Sequence, residues 1–238
     1  MADSRSRTAI LCVHGIQGGP DQFQWIIPAL PGQVDVYNIL LPGHGADVRS
    51  FRKSGMAVWQ ACVDEKILEL SANYDSILYI GHSMGCLLGI DACIRLKSNV
   101  RALVLLACPL ALRPSFRYVR NNFCAAAGIC LNNPYVAAAR TGNSVQAKSP
   151  LSYLSCVRPY VQLLGKMRSV RKELTSLRLP VVAVHSQGDE IVSRRSLNFF
   201  KPLSRAQLFT APVSGHYLYS SEAQDMIIRT VLNCLESI

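Results

Sequence analysis

Three short stretches of this chain hold residue types that could together carry out acyl transfer. Ser83 stands in Gly81-His82-Ser83-Met84-Gly85, Asp189 in Ser186-Gln187-Gly188-Asp189-Glu190-Ile191-Val192, and His216 in Val213-Ser214-Gly215-His216-Tyr217. A serine hydroxyl becomes a useful nucleophile when an imidazole takes its proton. The imidazole in turn needs a carboxylate to fix its tautomer. Glu190 is an alternative acid, and Asp189 in its GDxxV setting is the better choice. A fourth stretch, His14-Gly15-Ile16-Gln17-Gly18-Gly19, can offer backbone N–H groups to the oxygen that turns negative during attack.

These residues need elements to position them. Ser76–Ile80 is mostly apolar and reads as a strand; Met84–Leu96 is rich in apolar and small residues and reads as a helix. Ser83 falls at their junction, where a helix N-terminus exposes free N–H groups and a partial positive charge. A strand that turns that sharply leaves no room for a Cβ on either side, hence Gly81 and Gly85. The bland alternative is a tight turn with a capping serine. Against it, Asp189 follows a predicted strand at Val181–His185, and His216 follows one at Ala206–Ala211. The remaining histidines read as structural: His82 pointing away, His14 holding the N–H loop, His44 organising LPGHG, and His185 ending a buried strand.

Strands are also expected at Thr8–Val13, Val34–Leu41 and Arg101–Ala107. Helices are expected at Met56–Tyr74, about 159–177, Ser196–Phe200 and Ala223–Leu235. Strands and helices alternate and several strands are apolar throughout, the pattern of an α/β, mostly parallel sheet with helices on both faces. The exception is 109–155, whose Pro, Gly and Asn residues give no strand signal. It reads as an insertion, a lid after the fourth predicted strand, with 1–108 and 156–238 as the core.

The 238 residues suit one domain. Net charge is +10, and the whole excess lies in 109–180, with eleven Lys/Arg against one acid, Glu173. Arg113, Arg117 and Arg120 alternate there with Phe116, Tyr118 and Phe123, a composition suited to an anionic lipid surface or to steering an anionic substrate. No nucleic-acid-binding motif accompanies the charge. Nine cysteines show no CxxC pair, which points to free thiols in a reducing compartment. No apolar run reaches the length of a membrane span or a signal-peptide core, so the expected location is cytoplasmic. Gly15–Gly19 lacks the GK[ST] of a phosphate loop, and no metal or organic cofactor is implied.

The motifs HGIQGGP, LPGHG, GHSMG, GDEIV and SGH together resemble the α/β-hydrolase superfamily. Within it they are similar to small bacterial carboxylesterases related to monoacylglycerol lipase. The resemblance covers nearly the whole chain apart from 109–155. It implies a Ser83–His216–Asp189 triad and an oxyanion hole from the N–H groups of Ile16 and Met84; substrate contacts are expected from Gly15, Gln17, Arg113, Phe116 and Tyr217. It also implies that the family's first two strands are missing. The expected activity is hydrolysis of carboxylic esters, short- to medium-chain acyl esters or monoacylglycerols. A thioesterase, an amidase or peptidase, and a non-catalytic small-molecule receptor stay open as alternatives. Epoxide hydrolases and dehalogenases need a carboxylate where Ser83 stands.

Overall fold

A computed structural model describes residues 7–145 and 156–238. Its six strands are β1 (Thr8–Val13), β2 (Asp35–Ile39), β3 (Ser76–His82), β4 (Val100–Leu106), β5 (Val181–Ser186) and β6 (Ala206–Ala211). They form one sheet in the order β2-β1-β3-β4-β5-β6, with every neighbouring pair parallel. Parallel pairing requires crossovers, and these cover both faces, so central strands are apolar without alternation. All of β3 is buried, whereas the edge strand β2 is only partly so.

The two faces still divide by the period of two. Ile77 and Tyr79 pack into a core with Trp59, Val63, Leu87 and Met167. These come from α2 (Met56–Asn73), α3 (Met84–Arg95) and α6 (Val157–Glu173). Leu78 and Ile80 face the other way, onto Phe23, Ile26, Ile227 and Val231. The last two belong to α7 (Ser221–Glu236). A short α1 (Val48–Lys53), which the sequence reading had not found, starts where the Asp47 carboxylate accepts a hydrogen bond from Ser50 N at 2.9 Å.

Strand and helix order is as the sequence implies, with shifted ends. The helix expected at 159–177 runs from 157 to 173 and finishes in a 3-10 turn. The one expected at Ser196–Phe200 is a 3-10 turn over Arg194–Phe199. The larger difference lies between 109 and 145, which holds two helices, α4 (Phe116–Ala127) and α5 (Pro134–Gly142). The residues that read as loop punctuation are their caps. Ser115 accepts from Tyr118 N; Gly128 ends α4 with φ +70°; Asn133 accepts from Tyr135 N, with Pro134 at the first helical position. The rest of the expected insertion, 146–155 with Lys148, lies outside the described residues. No helix among the described residues is long and apolar enough to cross a membrane.

Candidate active site

All four loops that hold the candidate residues leave the carboxyl ends of strands. Ser83 follows β3 directly, with φ 51° and ψ −117°, a conformation that side chains rarely adopt. Its side chain makes no capping bond to α3, so the hydroxyl is not spent on the helix. The glycines are there because the backbone closes in. A Cβ on Gly81 would lie 2.8 Å from Cys86 N, and one on Gly85 2.0 Å from the Val13 carbonyl oxygen. Ser83 N also donates to the Leu106 carbonyl at 2.9 Å, tying the turn to the end of β4.

The candidate acid and base follow β5 and β6. Asp189 Oδ2 lies 3.0 Å from His216 Nδ1, and both side chains are buried. Asp189 Oδ1 accepts from Ile191 N at 2.9 Å and Val192 N at 2.7 Å. Burial pushes this carboxyl's pKa up. The adjoining His216 and the two N–H groups more than offset it and leave the pKa below the usual carboxylate value. An ionised Asp189 places the imidazole proton on Nδ1 and leaves Nε2 as acceptor. Glu190 has a different place: its Oε2 accepts the backbone N–H of His216 at 2.7 Å.

The loop after β1 approaches the serine closely, since a Cβ on Gly15 would lie 2.9 Å from Ser83 Cβ. Among the described residues, neither Ile16 N nor Met84 N has a protein acceptor. His14 holds this loop. Its Nε2 accepts from Leu41 N at 3.0 Å, so Nδ1 carries the proton and donates to the Gly15 carbonyl at 2.8 Å. Burial, with His44 beside it, pulls the His14 pKa down to about 3. His82 does not simply point away. Its ring lies 5.1 Å from that of His216, and Nε2 donates to the His216 carbonyl at 3.0 Å. Burial likewise lowers its pKa to about 3.

Ser83, Ile16, His216 and Tyr217 open on one cavity of about 390 Å³, within the usual range for ligand pockets. The rest of its lining is mostly apolar and includes Leu112, Val119, Leu163, Leu164, Ile191 and Val192. Four of the five expected substrate contacts, buried Gly15 among them, do not line it. Phe116 is 82% exposed at the start of α4, and Arg113 is exposed, while Leu112, Pro114, Tyr118 and Val119 from the same stretch line the cavity. Gln17 is buried but does not line the cavity either. Arg117 is not a free cation: it donates to the Gly188 carbonyl at 2.6 Å, lies 3.9 Å from Glu190 Oε1, and stacks over Tyr135.

Tyr118, read from the sequence as part of a lipid-facing surface, lines the cavity instead, and so does Tyr160, which carried no sequence signal. The Tyr118 hydroxyl bonds both Tyr217 and Tyr160, placing a polar cluster inside an apolar cavity; burial raises its pKa to about 12.

A parallel sheet with a glycine-flanked serine at a strand–helix turn, and loops from later strands meeting over it, defines the α/β class of hydrolase folds. Residues 10–229 match the Alpha/beta hydrolase family, and the chain belongs to it. No curated protein matches the chain. Solved structures share the fold. One, from work on LipS and LipT, two metagenome-derived lipolytic enzymes, has TM-score 0.72 and 17% identity, covering 98% of this chain and 95% of that one. A monoacylglycerol lipase from Paleococcus ferrophilus has TM-score 0.65 and 17% identity, covering 96% and 94%. A thioesterase domain from the curacin biosynthetic pathway has TM-score 0.67 and 18% identity, covering 95% and 91%.

Proposed function

We propose that this protein is a serine hydrolase of carboxylic esters with Ser83, His216 and Asp189 as its triad. One observation carries the reading: the serine and the imidazole open on a single apolar cavity while the carboxylate is bonded to the far side of the imidazole. Ser83 Oγ attacks the acyl carbon as its proton passes to His216 Nε2. The carbonyl oxygen, now negative, turns to the N–H groups of Ile16 and Met84. Collapse breaks the bond to the alcohol, which takes the proton from His216. Water then repeats the sequence on the acyl-enzyme, releasing the carboxylic acid and restoring the serine.

The apolar walls suit the acyl chain of a short- to medium-chain ester or a monoacylglycerol. Residues 109–155 act as a lid, a role supported by the part of the cavity lining that 109–119 supply. Outside the cavity, Phe116 and Phe123 on α4 and Val157 and Val161 on α6 are exposed. With Arg113, Arg120 and Arg158 exposed nearby in sequence, they suit an anionic lipid surface. Location in the cytoplasm completes the reading, in keeping with nine cysteines that show no CxxC pair.

A fluorophosphonate probe should add once, at Ser83. p-Nitrophenyl esters should show a burst, and Ser83→Ala should lower kcat by roughly 10⁴- to 10⁶-fold. Labelling that survives in the alanine variant overturns the assignment. Faster turnover of a thioester or an amide with the same acyl chain moves it to a thioesterase or an amidase.

A further inference from the structure

The N–H of Ile16 belongs to the peptide whose carbonyl is Gly15 O. That carbonyl is held from two sides, by His14 Nδ1 at 2.8 Å and Gly18 N at 3.0 Å. In a trans peptide the N–H points opposite to the C=O. Pinning the carbonyl on one side therefore aims the N–H to the other. The preceding peptide is held separately: Gly15 N donates to Gln22 Oε1 at 2.9 Å.

Gln22 has a second bond. Its Nε2 donates to the Gly142 carbonyl, at the end of α5, at 3.0 Å. The residues just beyond join the same loop. Ser144 N donates to the Gln17 carbonyl at 2.8 Å, Ser144 Oγ donates to the Gly18 carbonyl, and Gly18 pairs with Asn143 in an antiparallel bridge. Gly45 N, from the LPGHG loop, donates to Ser144 Oγ at 3.0 Å. Two glycines make room for this seam. A Cβ on Gly18 would lie 2.4 Å from Gln22 Nε2, and one on Gly19 2.8 Å from Ser144 Cβ.

We propose that Gln22 is a positioning residue for the oxyanion hole: one amide fixes the Gly15 end of the loop and fastens that loop, alongside Ser144, to the end of α5. The inference rests on Ser83 as the nucleophile. It makes the placement of the α4–α5 helices a determinant of transition-state stabilisation. A substrate that shifts α5 also shifts the peptide that meets its oxyanion.

The test uses Gln22→Ala, Gln22→Glu and Ser144→Ala in the full chain, with thermal unfolding to show that each is folded. Two rates are read: fluorophosphonate labelling of Ser83, and kcat with KM for a p-nitrophenyl ester. Gln22→Ala should slow labelling and lower kcat together by about tenfold or more, with KM within about threefold; outright loss of an oxyanion donor costs about 10²- to 10³-fold. Gln22→Glu keeps the acceptor for Gly15 N and should recover part of the loss. Ser144→Ala removes only the outer side-chain bonds and should act in the same direction by a few-fold, which keeps the test alive if Gln22→Ala does not fold. Wild-type labelling by Gln22→Ala, or unchanged kcat with a raised KM, overturns the proposal. Labelling needs no ester turnover. A wild type that is labelled but cleaves no ester therefore refutes the ester reading, while the ratio of labelling rates still decides the role of Gln22.

Discussion

Asp189 and Glu190 are neighbours of the same charge, and the sequence could rank them only by their surroundings. Geometry separates them by reach. The short Asp189 side chain turns back onto the N–H groups two and three residues ahead and presents its other oxygen to the imidazole. This is the habit of an aspartate in a turn. The longer Glu190 side chain reaches the backbone of His216 instead. Asp189→Asn should therefore lower kcat by about 10⁴-fold, because the imidazole tautomer is lost. Glu190→Gln leaves an amide oxygen for His216 N and should lower it by less than about tenfold. Steady-state kinetics of the two variants decide the matter, and a larger loss for Glu190→Gln would reverse the assignment. Ser83, His216, Asp189 and the N–H loop were legible as candidates because each sits in a glycine-marked strand end. The contacts of Gln22, Tyr118 and Tyr160 were not, because they run between elements far apart in sequence and no local spacing marks them.

The elements divide along the same line. Strands and core helices were legible because burial on both faces writes continuous apolar runs into the chain. Helices α4 and α5 were hidden by their own caps: Ser115, Gly128, Asn133 and Pro134 are loop formers by composition and helix ends by position. The basic excess of this region also divides. Lys166 reaches Asp91 at 2.9 Å and Arg117 braces the acid loop, so neither is available for steering. Exposed Arg113, Arg120 and Arg158 have no acidic partner among the described residues. If they steer, kcat/KM for an anionic ester should fall markedly between low salt and high salt, where the Debye length shrinks from about 30 Å at 0.01 M to about 3 Å at 1 M. A neutral ester of the same length should hardly respond, and Arg113→Gln with Arg120→Gln and Arg158→Gln should reproduce the loss at low salt. An equal salt response for both esters would mark these arginines as a solvated surface.

Across the whole molecule, buried histidines link stability to pH; burial lowers the pKa of His185 and, furthest, those of three others. His14 and His82 titrate near 3 in the folded chain and His44 near 4, burial being the main cause each time. An unfolded histidine titrates near 6.5. Between those values the unfolded state binds more protons, so stability is full above about pH 6.5 and is lost as pH falls. Each proton is worth about 1.4 kcal/mol per pH unit, giving roughly 4 kcal/mol per unit near pH 5. Asp189, with its lowered pKa, adds to the loss at lower pH. Urea midpoints measured from pH 7.5 to 5 should fall steeply, and His44→Gln should flatten the slope by about a third; a level profile would refute this. The sheet order has a consequence for synthesis. Strand β5 must settle beside β4 although residues 107–180 lie between them, and β6 joins only through β5. His216 lies beyond both joins and Asp189 beyond the first, so a ribosome must release most of the chain before Ser83 can meet either. Until then the growing chain holds Ser83 without the histidine proposed to activate it.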